Sequence, residues 1–440
     1  MDKLPKLSNV YVVSGLATIG GLIQGFDVSS MSAIIGTDQY KSYFQKPNPI
    51  AQGGITASMA GVQSSSPKSV FHISVILIMY FISYGSSFMS TNAVFRLPWG
   101  LQMIPAIVLL AFLPMMPRSP RWLATQDRWE EAVEILARLH AKGDILDPIV
   151  IAQTTEIREK IEFERQYETT SWMAVFNSRN IIRVHCGIFT HIWSQLSGTN
   201  AMMYYIVYIF QMAGLTGNNA LLSATIQYVI NVLMTLPALI FIDRLPRRRL
   251  FIAGALAMAV LQFTQAGLMA SYGEHVPGGL KGSPTVTWRV TNGKASKAII
   301  ACSYLFIAAY APTWGPLGWA YPPEIIPLYI RSKSVSLATF FNWACNFALT
   351  FFTPPGFQNI QWKIYCVFGT FCAVAAIHVF LLFPETCGKS LEEIDEIFSD
   401  HSIWAFQTEH VPSRLAADIE QAKEDLTNDK AGVDYPVLLK

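Results

Sequence analysis

The side chains with the most chemistry to offer sit in an apolar run. Residues His191 to Tyr205, read HIWSQLSGTNAMMYY, place Gln195 and Asn200 inside a stretch long enough to cross a bilayer. Neither is charged, so each can be buried, yet each needs hydrogen-bond partners that lipid does not supply. Two further amides, Asn231 and Asn342, lie in two other apolar runs. An amide offers both donors and an acceptor, which suits a polyhydroxylated ligand. Taken singly, such a side chain is more often interhelical glue worth about 0.6 kcal/mol; taken together, the four predict a common cavity. Asp27 is the only acidic residue in the first apolar run, where an ionisable group costs about 2.5 to 3.5 kcal/mol on insertion scales. Two readings are open for it: a carboxylate near a helix end reaching water, or a proton site that loads and releases as access alternates.

The elements that must position these residues follow from composition. The 440 residues are 52% hydrophobic, 12% aromatic and only 14% charged, which excludes an average soluble protein and reads as polytopic membrane protein. The net charge of +2 hides a sorted distribution, with no arginine before Arg96; sorting of this kind sets topology and does not signal nucleic acid. Nine candidate spans of about 20 apolar residues run over 10–36, 70–90, 98–116, 183–213, 220–242, 249–272, 297–322, 333–354 and 363–383. Residues 117–182 are rich in charge, and DRWEEAVEILARLH sets Ala132, Ile135, Leu136 and Leu139 on one helix face, so a soluble amphipathic domain is expected there on the cytoplasmic side. The loop IDRLPRRRL and the one around Arg331 and Lys333 are basic as well. A polar tail follows from Pro384, and residues 62–69 have the look of a seam. The six cysteines form no CxxC pair and read as reduced packing residues.

Several stretches, in this order, resemble the sugar porter branch of the major facilitator superfamily, and most of all fungal high-affinity glucose transporters that work as proton symporters. They are GGLIQGFDVSSMSAIIG, SPRWLA, SQLSGTNAMMYY, DRLPRR, GPLGW, NWACNF and PETCGKSLEEID. The resemblance implies an all-α membrane protein of the major facilitator fold. It implies that Gln195, Asn200, Asn231 and Asn342 bind hexose, that Trp319 packs on the sugar, that Tyr204 and Tyr205 gate the site and that Asp27 couples protons. Packing aromatics remain the alternative for the two tyrosines. Arg121, Asp243, Arg244, Arg247, Glu324, Arg331 and Glu385 fall at the expected cytoplasmic ends of spans. There they form either a topology signal or a latch between helices, and the resemblance favours the latch.

The chain also departs from the family pattern. Ser194 stands where the family has a second glutamine, Arg118 where its PESPR motif has an acid, Pro246 where its DRxGRR turn has a glycine, and Gln24 where it has a phenylalanine. After QGGITASMAG the chain passes through the seam into a segment resembling the family's fifth span, so spans two to four are missing. The expected architecture is therefore a truncated fold of about nine transmembrane helices instead of twelve. Residues 1–116 form an incomplete N-terminal bundle, 117–182 a linker domain, 183–383 a six-helix C-terminal bundle and 384–440 a cytoplasmic tail. Losing three spans also breaks parity: with the large basic loop inside, the first span must invert, fail to insert, or be followed by an irregular crossing.

The expected activity is proton-coupled hexose transport by alternating access across the plasma membrane, with weak or no uptake because spans are absent. The expected partners are a sugar, protons and the bilayer, with no nucleic acid, no cofactor, no metal and a monomeric state. A sugar sensor or regulatory partner on the same fold is the second reading, against which the short tail argues. An enzyme lacks support, since there is no HExxH, no paired intramembrane carboxylate and no nucleophile elbow. His72, His191 and His378 are expected to be isolated packing or hydrogen-bonding residues.

Overall fold

The computed structural model describes residues 34–44 except 36, 47–52, 56, 69–167 except 142, 172–242 except 179, 244–280, 284–389, 391–399 and 404–405. The first expected span with Asp27, apart from residues 34 and 35, lies outside these, as do residues 62–68 of the seam and Asp243.

The described chain is helical almost throughout. A short α1 (Asp38–Tyr43) precedes α2 (Ser69–Ser86) and α3 (Ala93–Phe112), which match the second and third expected spans. The linker region holds α4 (Pro120–Thr125), α5 (Trp129–His140) and α6 (Pro148–Tyr167). The C-terminal bundle comprises α7 (Ile181–Leu196), α8 (Thr199–Tyr204), α9 (Ile206–Met212), α10 (Asn218–Phe241), α11 (Arg247–Tyr272), α12 (Gly293–Tyr310), α13 (Trp314–Ile325), α14 (Leu328–Asn359) and α15 (Lys363–Leu382). A last helix, α16 (Leu391–Ser399), follows, and β1 (Gly273–His275) pairs antiparallel with β2 (Trp288–Val290) between α11 and α12. Among the described residues, 6 helical stretches are long and apolar enough to cross a membrane. Prolines sit inside several of them, including Pro98, Pro105 and Pro237, which neighbouring helices in a bundle make tolerable.

Two expected spans are broken. The run 183–213 is divided into α7, α8 and α9, and the run 297–322 into α12 and α13. The first break turns on Gly198, at φ +84°, where an added Cβ would sit 2.6 Å from the Phe368 ring of α15. A left-handed residue that also packs against an aromatic face leaves room only for glycine. Gly198→Ala is expected to lower stability by about 3 kcal/mol, from the left-handed backbone penalty plus overpacking. A thermal melt of the detergent-solubilised protein reads this directly, and an unchanged midpoint would contradict the close approach.

Helix packing follows small residues. α11 runs against α15 with the Phe263 ring over Gly369, where an added Cβ would lie 3.2 Å from the ring, the kind of approach that small residues permit in membrane bundles. α14 crosses α7, and α2 packs on α10. That last contact joins the helices before the linker to those after it: Tyr80 stacks on Tyr228 at 4.4 Å and donates to the Leu221 carbonyl at 3.0 Å. In the linker, Leu123, Ala124, Ala132 and Ile161 form one buried cluster and Leu136, Ala137 and Val150 another. Of the four residues expected on one face of α5, Ala132 and Leu136 are buried, while Ile135 and Leu139 are half-buried.

Candidate functional site

Both helix breaks border one polar cluster. At the end of α7, the Gln195 side chain donates from Nε2 to Asn342 Oδ1 of α14 at 2.8 Å. Asn200, on α8 just past the break, donates from Nδ2 to Gln195 Oε1 at 2.6 Å. The three amides thus form a directional relay from Asn200 through Gln195 to Asn342. Gln195 and Asn342 are buried and Asn200 is half-buried. A second donor on Nε2 of Gln195 and the carbonyl oxygen of Asn200 enter no described bond, which leaves donor and acceptor capacity for a hydroxylated ligand.

Around the relay, the His191 ring meets Trp319 of α13 edge-on at 4.8 Å. Trp319 is half-buried. Ser194 bonds the Tyr310 hydroxyl at 2.9 Å. Asn231, on α10, joins this cluster through no described bond: its described bond is through its backbone carbonyl, which accepts from Thr235 Oγ1 at 2.7 Å. Of the four amides expected to share a cavity, the described bonds therefore join three.

The breaks free backbone groups that the bundle must satisfy. The Met203 carbonyl accepts from the Tyr228 hydroxyl of α10 at 3.0 Å, and the Ser197 carbonyl faces Cys372 Sγ at 3.8 Å. Of the two expected gating residues, Tyr205 donates to the Thr350 carbonyl of α14 at 2.9 Å and stacks on Tyr208 at 6.1 Å. Tyr204 is buried. Tyr208 in turn reaches the Ile35 carbonyl at 3.4 Å, a second contact with the segment before the linker.

A separate cluster joins the ends of α11, α13 and α15. The Glu385 carboxylate accepts from the backbone N–H groups of Arg247 at 2.8 Å, Arg248 at 3.1 Å, Thr386 at 3.1 Å and Cys387 at 3.0 Å. A helix begins with N–H groups that lack intrahelical partners, and its dipole favours an anion there. Glu385 therefore acts as a cap supplied by a neighbouring segment. The Arg247 guanidinium donates to Glu324 Oε1 at 3.3 Å, and Thr386 Oγ1 donates to Glu324 Oε2 at 3.0 Å. Arg331, in the first turn of α14, donates from Nε to the carbonyl of Ile326, the C-cap residue of α13, at 3.0 Å. Arg121 is exposed on α4.

Sequence reasoning missed several partners. Arg183 at the start of α7 pairs with Asp395 of α16, donates from Nη2 to the Asp395 carbonyl at 3.0 Å and lies 4.8 Å over the Phe398 ring. The amphipathic pattern of SLEEIDEIF was the available signal, but which cation it would meet was not. The expectation that His378 is isolated is corrected. Trp193 Nε1, which can only donate, bonds His378 Nδ1 at 2.8 Å. That leaves the His378 proton on Nε2, 3.0 Å from His185 Nε2. The side chain of His72 lies outside the described residues.

A family model described as "Sugar (and other) transporter" matches residues 64–398. The chain is 38% identical to a high-affinity glucose transporter of Kluyveromyces lactis, over 91% of this chain and 87% of the relative. It is 36% identical to high-affinity glucose transporter 1 of Candida albicans, over 96% and 92%. These alignments run to 477 and 504 positions, more than the 440 residues here, so each relative carries residues with no counterpart in this chain. The fold is similar to that of the inward-open xylose transporter XylE from E. coli, with a TM-score of 0.64 at 20% identity, over 88% of this chain and 99% of that one.

Proposed function

The chain belongs to the sugar transporter family of the major facilitator superfamily and is a multi-pass membrane protein, and from that premise we propose that it binds a hexose, with glucose the first candidate, at the Asn200–Gln195–Asn342 relay. The observation that carries this reading is the placing of three linked amides between two broken helices, beside the Trp319 ring. Unwound backbone at bilayer depth is tolerated where it lines a cavity, and transporter sites are built from discontinuous helices of this kind. Asn231 and the gating tyrosines Tyr204 and Tyr205 flank the sugar on its way in and out. Asp27 is the proton-coupling carboxylate. The Arg247–Glu324 ion pair and the Glu385 cap, with Asp243, Arg331 and Arg121 assigned to the same latch, hold the cytoplasmic side shut until sugar and proton are loaded.

Transport itself is expected to be weak, because alternating access needs two bundles that rock against one another and the N-terminal one lacks three spans. Uptake of labelled D-glucose into proteoliposomes is expected to stay below about a tenth of that of a relative with all twelve spans, since the missing spans remove part of the sugar pathway between the two bundles. Robust proton-dependent uptake would overturn the deficiency. Deleting residues 400–440 separates transport from sensing: normal growth of a transporter-null host on limiting sugar after the deletion would argue against a sensor.

A further inference from the structure

The bond between Ser194 and Tyr310 joins the two broken helices at the level of the relay. Tyr310 is the last residue of α12, immediately before the break, and Ser194 precedes Gln195 in the last turn of α7. The Tyr310 hydroxyl and Ser194 Oγ are 2.9 Å apart. Two glycines of α13 shape the space around them. An added Cβ at Gly315 would sit 3.6 Å from Tyr310 Cε1, and one at Gly318 would sit 4.0 Å from Ser194 Oγ. Ser194 is buried, and its neighbour Gln195 must aim two groups at once, toward Asn200 and toward Asn342. A tether one residue away from a side chain with two fixed partners sets how accurately that side chain can be aimed.

We propose that Tyr310 is a positioning residue for the sugar site, whose hydroxyl holds Ser194 and through it the Gln195 amide, and that the phenol and the short side chain at 194 are matched in length. The inference rests on the reading of the amide relay as a sugar site. A side chain longer than serine at 194 would extend past the point where Oγ meets the Tyr310 hydroxyl, so the two positions are coupled in size as well as by the bond.

The test is equilibrium binding of D-glucose and D-galactose to the purified full chain, read by tryptophan fluorescence. Tyr310→Phe keeps the ring and removes only the hydroxyl. It is expected to weaken D-glucose binding roughly 3- to 10-fold, the range of one buried hydrogen bond, and to narrow the preference between the two sugars. Ser194→Ala should do the same, and the double variant should be no worse than either single one. Ser194→Gln should bind more weakly still, and Tyr310→Phe added to it should recover affinity, a rescue that a merely structural hydroxyl does not produce. Melting midpoints separate misfolding from these effects, and the comparison of Ser194→Gln with its double variant holds even where Tyr310→Phe lowers the midpoint. Additive single effects, or a Ser194→Gln protein that binds like the parent, would overturn the inference while leaving the sugar reading intact. A parent chain that binds neither sugar overturns the sugar reading and this inference with it.

Discussion

Gln195→Ala is expected to weaken D-glucose binding roughly 10- to 100-fold, the largest loss of any single substitution in the bundle. The reason lies in its place in the middle of the relay. Its removal leaves Asn200 Nδ2 and Asn342 Oδ1 both without the partner they have at 2.6 and 2.8 Å, and an unpaired buried polar group costs about 1 to 3 kcal/mol. The sugar would then have to hold two amides that no longer hold each other. Gln195→Glu sharpens the experiment. It is close to isosteric, but it replaces the donor that faces Asn342 Oδ1 with an acceptor oxygen, so loss of binding with little change in volume assigns the effect to hydrogen-bond direction. Asn231→Ala serves as the contrast, because Asn231 stands outside the relay and its side chain enters no described bond; its effect is expected to be within about threefold. Titration of the purified protein with D-glucose gives all three numbers. A Gln195→Ala protein that binds within twofold of the parent would remove the relay from the site.

The second large effect is expected at Glu385. Glu385→Ala removes the acceptor of four backbone N–H groups, two of them the first of α11. It also leaves the buried Arg247 and Arg248 side by side without that carboxylate. Bonds to a charged acceptor are worth about 1.5 to 3 kcal/mol each, with strong non-additivity inside one cluster. A loss of about 3 kcal/mol is therefore expected at this end of the bundle. It should appear as a lower melting midpoint and as faster amide exchange at Arg247 and Arg248. Glu385→Gln keeps an acceptor oxygen in the same place and should lose about half as much. Glu324→Gln should lose less again, because Glu324 makes one 3.3 Å contact with Arg247 and one with Thr386 near water, where ion pairs are worth little. Protected amides at Arg247 and Arg248 in Glu385→Ala would show that α11 is capped by something else.

These two sites differ in how far the sequence could foretell them. Gln195, Asn200 and Asn342 stand out because a neutral polar side chain in an apolar run demands a partner, and that demand is visible in one dimension. Which amide answers which is not visible. Asn231 satisfies the same sequence criterion, yet its described bond is made by its backbone carbonyl and not by its amide. Glu385 was legible as a charge at a span end, which suggested an ion pair with an arginine side chain. Its described partners are instead backbone N–H groups, and no residue type announces those. Arg331 shows the same limit from the other side, since its described hydrogen bond goes to a backbone carbonyl five residues back. The His185–His378–Trp193 chain was missed because His378 is far in sequence from the other two, which share α7, and meets them only where α7 packs on α15.

By itself, then, the sequence determined the class of the protein and the limits of most helices. Bilayer-length apolar runs and sorted charge are local properties, and the membrane penalises any alternative. It also carried the expectation that spans of the N-terminal half are missing, and the relatives do hold residues with no counterpart in this chain. The tertiary structure alone decided that two of the expected spans are broken, since the break at Gly198 depends on a Phe368 ring contributed by α15. It alone decided the direction of the amide relay and the pairing of Ser194 with Tyr310. Those depend on how helices are rotated about their axes, and that rotation is set by the packing of small residues between helices, which sequence spacing does not record.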